Sequence, residues 1–341
     1  MSALFGGPLV ARARYAMFLN SLHFPCVIDE GGRWDSSVKE FSFGGFRAVC
    51  LFLSIRDSHI GNSAIMKRIL VGLGTSGHAE SVVSHAIEIA QGQGAELLGI
   101  AVVDPSRLEW TGPRPIGVGV ETLTAELRQD RMTKVAAEIE KANKLFAEKC
   151  LLANVPHQTC ERTGDPFEIV ADLVRYQDLC VFGLHGLFEH DVVPEPTDSL
   201  ERLVAAGVRP MLAVSETFCP IRRVLVAYSG SLESAKTFKH YVQSGLYPKA
   251  LVRVVHFGSD VEAGERRLKS VESYFASHGR EIELDFIQGD PVQELVPYAE
   301  KWEANLIVAG NSAKNLLLRK LFGETALQLL RASPLPLYLA Q

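Results

Sequence analysis

Long apolar runs, an excess of basic residues and paired cysteines are all missing from this chain of 341 residues. It has no apolar run of about 18 residues, the length that crosses a bilayer, which argues against a membrane protein. With a formal net charge of −5, the chain lacks the broad positive charge that binds nucleic-acid phosphates, so nucleic acid is not expected as a partner. The six cysteines form no Cys-x-x-Cys pair, which favours reduced thiols in a cytoplasmic protein over a disulfide framework or a zinc site.

The first 65 residues differ from the remainder of the chain. They match nothing later in the sequence and show no sustained helical or strand period, and their most apolar stretch, Ala48 to Ile55, comes too late for a secretory signal. Met66 is followed at once by Lys-Arg-Ile-Leu-Val-Gly, a strand that begins a complete domain. We expect residues 1–65 to be an unassigned N-terminal extension, disordered or upstream of a true start at Met66. A genuine small domain stays open as the alternative.

From Arg68 onward, short apolar runs alternate with amphipathic helices, a pattern typical of a parallel sheet with crossover helices. The pattern occurs twice, and each copy predicts five strands. The first copy contains RILVGL, ELLGIAVV, a strand near His157, DLCVFG and RPMLAV. The second contains RRVLVAY, ALVRVVHF, IELDFI, NLIVAG and LPLYLA.

The tripeptide Gly-Asp-Pro supports this duplication, because it stands at the matching place in each copy. From its glycine to the proline that opens the last strand, the interval is 46 residues in the first copy (164 to 210) and 47 in the second (289 to 336). Aspartate is a preferred N-cap, and proline suits the first helical position, where its missing N–H has no intrahelical partner. Each tripeptide therefore predicts the start of a helix, and the chain is predicted to hold two domains, residues 66–217 and 220–341.

These features resemble the universal stress protein family in its tandem form. The resemblance rests on KRILVGLGTSG and RRVLVAYSGS, on the two Gly-Asp-Pro helices, and on LCVFGLHG and LIVAGNSA as fourth strands with their exit turns. It implies an α/β fold of two repeated five-stranded parallel-sheet domains, Rossmann-like and similar to adenine nucleotide alpha hydrolases. It also implies that the domains pair through their last strands as an intramolecular pseudo-dimer, and that the protein is a stress-response regulatory or protective module rather than an enzyme.

The resemblance further implies an adenine-nucleotide site. Members of the family that bind ATP carry an Asp after the first strand. They also carry a loop motif in which Gly-x-x-Gly is followed by nine residues of any type and then by Gly-Ser or Gly-Thr. In the second domain Ala313 adds a Cβ where glycine lets a phosphate approach. Glu324 places a carboxylate where a hydroxyl would meet phosphate, a like-charge contact that costs on the order of 1 to 4 kcal/mol. We therefore expect at most weak binding of ATP or AMP there. The matching positions are Ser229, Gly310, Ala313, Gly323, Glu324 and Thr325.

The first domain carries a more degenerate version of this pattern. Pro196 removes a backbone donor from the loop that would hold phosphates, and several acidic residues precede it. We expect this site to be degenerate and this domain to serve assembly. Its matching positions are Gly74, Gly183, Gly186 and Thr197.

Two other functions remain open from the sequence. VAYSGSLESA resembles the phosphate loop of PP-loop ATP pyrophosphatases, so an adenylating enzyme is one alternative. A protein-interaction scaffold that binds no nucleotide is the other, with a protein partner or a second copy of the chain as its ligand.

Two further groups of residues have side chains that can react or bind a metal. His185, His190 and Asp191 lie in a predicted loop without a second ligand cluster, so no metal site is expected. Cys160 and Cys180 fall on predicted strands, where packed thiols are expected rather than nucleophiles.

Overall fold

The computed structural model describes residues 39–43, 46–50, 66–74, 77–104, 120–184, 203, 208, 210–310, 329 and 333–340. The chain divides into two units, Met1–Gly61 and Asn62–Gln341. The first unit contains an antiparallel pair, β1 (Lys39–Phe43) and β2 (Phe46–Cys50). These ten residues form strands within the segment expected to be an N-terminal extension, and its assignment as an extension stays a prediction. Gly44-Gly45 stands between the strands in the sequence and is a two-residue hairpin signal.

The second unit is built on one ten-stranded sheet. Within each repeat the strands run parallel, as the repeated pattern predicts, and their spatial order is third, second, first, fourth, fifth. The strands of the first repeat are β3 (Arg68–Gly72), β4 (Glu96–Val103), β5 (His157–Thr163), β6 (Leu179–Gly183) and β7 (Met211–Val214). Those of the second are β8 (Arg223–Ala227), β9 (Leu251–Phe257), β10 (Glu283–Ile287), β11 (Leu306–Gly310) and β12 (Leu337–Ala340).

The two repeats join at the centre of this sheet. Strand β12 pairs antiparallel with β7, with Tyr338 opposite Leu212, whereas every other described pair in the sheet is parallel. An antiparallel joint between two parallel halves is what an approximate two-fold axis produces. The expected pairing of the domains through their last strands, as an intramolecular pseudo-dimer, is therefore confirmed.

Helices cover both faces of the sheet, as parallel strands with crossover connections require. Of the six helices whose bounds are described, four share one core around Phe146, Tyr241 and Phe275, and two share a second core around Phe167 and Trp302 on the opposite face. Of the helix predicted between β11 and β12, the structure describes only Leu329, which is helical and buried in the second core. The first group is α1 (Ala79–Gln93), α2 (Val120–Leu152), α4 (Leu232–Gln243) and α5 (Val261–Ser277), and the second is α3 (Pro166–Val174) and α6 (Pro291–Lys301).

Both Gly-Asp-Pro tripeptides start helices, as predicted. Asp165 accepts a hydrogen bond from the backbone N–H of Phe167 at 2.7 Å. Asp290 accepts one from the N–H of Val292 at 2.9 Å. In each case the aspartate is the N-cap and the proline occupies the first turn, at the start of α3 and α6.

A second contact also occurs in both repeats. In each, the side chain of the residue before the fourth strand forms hydrogen bonds with the backbone at the start of the first strand. Asp178 Oδ2 accepts hydrogen bonds from the backbone N–H groups of Lys67 and Arg68, at 2.7 and 3.0 Å. At the equivalent place, Asn305 Oδ1 accepts from those of Arg222 and Arg223, at 3.1 and 3.2 Å. The same contact is thus made by an acid in one repeat and an amide in the other, so hydrogen bonding rather than charge is what the fold needs there.

Cys150, Cys160, Cys180 and Cys219 are free thiols. Cys180 is buried in β6, and burial raises the pKa of its thiol. Cys160 is half-buried and packs against the second core. The burial of Cys180 agrees with the expectation of a packed thiol, because burial disfavours the reactive thiolate.

A buried histidine lies where α1 meets the segment between the repeats. His85 is fully buried, and its ring meets that of Phe218 edge-on with the centroids 4.7 Å apart. Neither ring nitrogen has a hydrogen-bond partner in the described structure, and Nδ1 lies 3.9 Å from Glu88 Oε2. Burial lowers the pKa of His85 from 6.5 to about 4. Burial also raises the pKa of Glu88, an effect that the charge of Arg222 partly offsets.

These shifts predict that acid weakens the fold through His85. The neutral imidazole is favoured in the folded state, so its contribution is complete above about pH 6.5 and is lost as the pH falls towards 4, by about 3 kcal/mol for a shift of this size. Glu88 has the opposite effect on stability. Because folding raises its pKa, protonation of Glu88 at low pH favours the folded state. In urea unfolding between pH 7 and 4, His85→Leu should lose less free energy of unfolding than the parent chain. An equal loss in both proteins would contradict the assignment.

Candidate functional site

Three serine hydroxyls meet just beyond the carboxyl end of β8. Ser229 Oγ lies 3.0 Å from Ser231 Oγ and 3.1 Å from Ser234 Oγ, and the latter two are 3.2 Å apart. Ser231 is the N-cap of α4, and its hydroxyl accepts from the N–H of Ser234 at 3.1 Å. We call these three residues the serine cluster. Hydroxyls both donate and accept, so the cluster can bind polar groups of either kind.

Glycine at two positions permits this arrangement. Gly230 adopts φ +78°, a left-handed conformation that residues with a Cβ rarely adopt. Gly310 ends β11 against the first turn of α4, and a Cβ there would lie 2.6 Å from Ser234 Cα and 2.8 Å from Ser234 N. Ser234 therefore connects two of the predicted site residues, Ser229 through its hydroxyl and Gly310 through its backbone.

A histidine and an arginine lie beside the cluster on the β9 side. His256 of β9 is buried, and its Nδ1 lies 2.6 Å from the carbonyl oxygen of Tyr228. Arg267 of α5 reaches over Gly230 and donates from Nη1 to His256 Nε2 at 3.5 Å. The sequence analysis did not select either residue. A histidine inside an apolar strand and an arginine on a polar helix face carry no motif, and only the packing of α5 beside β9 brings them to the loop after β8.

The corresponding edge of the first repeat has a different chemistry. A Cβ on Gly77, just before α1, would lie 3.6 Å from Oε1 of Glu216, which follows β7. The N-cap of α1 is His78, whose side chain makes no capping hydrogen bond. An exposed carboxylate therefore stands near the first turn of α1, and it disfavours a second anion at that place.

The predicted site residues are only partly within the described structure. Gly74 follows β3 and is half-buried, and Gly183 is the buried last residue of β6. The others in the predicted sets lie outside the described residues: Ala313, Gly323, Glu324, Thr325, Gly186 and Thr197, together with His185, His190 and Asp191. Their assignment to a nucleotide loop, or to no metal site, stays a prediction. Within the described ranges no group of three His, Cys, Asp or Glu side chains is placed to hold a metal ion.

Comparison with known proteins identifies the family. The sequence profile described as "Universal stress protein family" matches the chain twice, over residues 66–187 and 220–341. The chain belongs to the universal stress protein family. Since the profile matches two successive segments, it is a tandem member, with one match in each repeat of the ten-stranded sheet.

Individual relatives agree with this assignment. A universal stress protein of Synechocystis sp. is 23% identical over 286 residues, which cover 80% of this chain and 98% of the relative. One from Methanocaldococcus jannaschii is 35% identical over 75 residues, which cover 22% of this chain and 44% of the relative. The crystal structure of a universal stress protein from Archaeoglobus fulgidus superimposes with a TM-score of 0.56 at 15% identity, covering 82% of this chain and 97% of that one. At that identity the superposition shows a shared fold.

The helices of the described universal stress protein repeats include none that is long and apolar enough to cross a bilayer. The longest, α2, is rich in charged residues along its whole length.

The contact between Gly310 and α4 predicts that this glycine supports the fold whether or not a ligand binds. In Gly310→Ala the new Cβ meets backbone that cannot rotate away, and we expect a loss of about 1 to 3 kcal/mol in the free energy of unfolding without nucleotide. Gly92→Ala is the matched control. Nothing lies within 4 Å of the added Cβ in α1, so the change should stabilise by roughly 0.5 to 1 kcal/mol. An unchanged stability of Gly310→Ala in urea would contradict the packing role.

Proposed function

We propose that this chain is a non-catalytic, cytoplasmic universal stress protein that acts as a regulatory or protective module and binds an adenine nucleotide weakly in its second repeat. The observation that carries the proposal is the serine cluster with Arg267 beside it, at the carboxyl edge of β8. Ligands of open α/β sheets bind at that edge. Hydroxyls and a guanidinium are donors that suit ribose and phosphate oxygens.

The difference between the repeats supports placing the ligand in the second one. There the edge offers the hydroxyls of Ser229 and Ser231 and one cation. In the first repeat the position equivalent to Ser229 is Gly74, and Glu216 places a carboxylate near the first turn of α1. In the second repeat a nucleotide phosphate can gain a charge-assisted hydrogen bond from Arg267, which offsets the acidic Glu233 in the first turn of α4. In the first repeat it meets the like charge of Glu216.

The contacts of Ser229 favour binding over turnover. A serine nucleophile is activated by an adjacent base, yet the hydroxyl of Ser229 contacts the hydroxyls of Ser231 and Ser234 and the N–H of Ser231. In the described part of the chain the nearby histidine, His256, is bound to Tyr228 and Arg267 instead. This supports a binding module over the alternative of a PP-loop pyrophosphatase or adenylating enzyme.

Calorimetric titration of the full chain with adenosine, AMP and ATP tests the proposal. We expect AMP to bind with a Kd of about 0.1 to 1 mM, equivalent to roughly 4 to 5.5 kcal/mol. We expect no pyrophosphate to appear during prolonged incubation with ATP.

Other results of this experiment would favour the alternatives. Release of pyrophosphate would overturn the non-catalytic assignment. No heat with any of the three compounds would overturn nucleotide binding and favour a scaffold that recruits a protein partner or a second copy of the chain.

A further inference from the structure

Arg267 is held in an unusual way for an exposed arginine. It lies on α5, two turns from the helix start, and its side chain folds back over the loop that follows β8. A Cβ on Gly230 would lie 3.1 Å from both Cδ and Nε of Arg267, and 3.2 Å from Cζ. The stem and guanidinium therefore lie flat on the one residue in this loop that has no side chain. Gly230 is the residue between Ser229 and Ser231, so the cation is placed at the serine cluster.

The charge of Arg267 is not neutralised. Three other described arginines of the second repeat each pair with a carboxylate: Arg223 with Glu303 at 2.8 Å, Arg253 with Glu283 at 2.7 Å, and Arg266 with Glu262 at 3.5 Å. In the described part of the chain Arg267 pairs with no carboxylate; the same holds for Arg222 and for Arg280, which donates to a backbone carbonyl, but Arg267 lies against the loop of the serine cluster. An unpaired cation next to a group of hydroxyls can bind an anion.

His256 fixes the guanidinium without cancelling its charge. A backbone carbonyl can only accept, so His256 Nδ1 donates to the oxygen of Tyr228. In that tautomer Nε2 carries the lone pair, and it accepts from Arg267 Nη1. This contact uses one N–H group of the Arg267 guanidinium, and the other N–H groups can donate to a ligand. The ring itself is buried, so its position is set by the strand.

We propose that Arg267 receives the anionic group of the ligand at the serine cluster, so that the second repeat selects a phosphorylated nucleoside over the free nucleoside. The inference rests on the proposed function and deepens it by assigning the phosphate to the β9 side of the cleft. In the sequence after β11, Ala313 and Glu324 stand where a phosphate loop needs a glycine and a hydroxyl residue.

Titration of the full-length parent chain, Arg267→Gln and Arg266→Gln with adenosine and AMP tests this. We expect the parent chain to bind AMP about tenfold more tightly than adenosine, the effect of one charge-assisted contact near the surface. Arg267→Gln should bind both with the Kd that the parent shows for adenosine. Arg266→Gln removes an equal charge one residue away and should keep the preference. Raising the salt concentration should weaken AMP binding by the parent chain and leave adenosine binding unchanged, since only the former includes an ionic contact.

The outcomes separate this inference from the function on which it rests. If the parent chain binds AMP and adenosine equally, or if Arg267→Gln keeps the preference for AMP, the role of Arg267 is wrong and nucleotide binding stands. If the parent chain binds neither compound, both proposals fall. A loss of preference in both arginine variants would also overturn the inference, because it would show a general charge effect instead of a contact. Arg267 is exposed, so thermal unfolding should give the same midpoint for both variants.

Discussion

The antiparallel pairing of β7 with β12 is the constraint on which the remaining structure depends. Each repeat alone would present its fifth strand as an open sheet edge, and pairing the two edges satisfies the backbone groups of both. The pairing makes one sheet of ten strands with two shared cores, one on each face. It also makes the strands of the two repeats run in opposite directions, so that their carboxyl ends point to opposite edges of the sheet. The serine cluster and the Glu216 edge are therefore separate sites.

The two repeats have kept the contacts that the fold needs and have diverged where a ligand would bind. Asp165 and Asp290 cap equivalent helices, and Asp178 and Asn305 hold equivalent strand starts. At the carboxyl edges no such equivalence holds, since a hydroxyl cluster with a nearby cation stands in one repeat and a carboxylate in the other. Two copies of a fold that share their cores can differ at such an edge, because the caps and strand contacts that hold each repeat lie elsewhere.

Much of the fold could be predicted because its signals are local. Apolar runs, the polar caps at Gly-Asp-Pro and the equal spacing of the copies led to the helices and strands, and the resemblance to a family led to the pairing of the last strands. The pairing of β1 with β2 was not predicted, because each strand spans only five residues. His85 and Arg267 could not have been found from the sequence, because burial at a joint between repeats and the reach of a side chain across a neighbouring loop are properties of tertiary packing.

Native-state hydrogen exchange at the joint between the repeats tests the central claim most directly. If β7 and β12 hold one sheet together, the paired amides around Leu212 and Tyr338 should exchange only through global unfolding, at the same free energy as those of β3 and β8. If the joint amides exchange well before the strands on either side, with each repeat opening by itself, the repeats are independent domains. The account of a single ten-stranded sheet would then be contradicted.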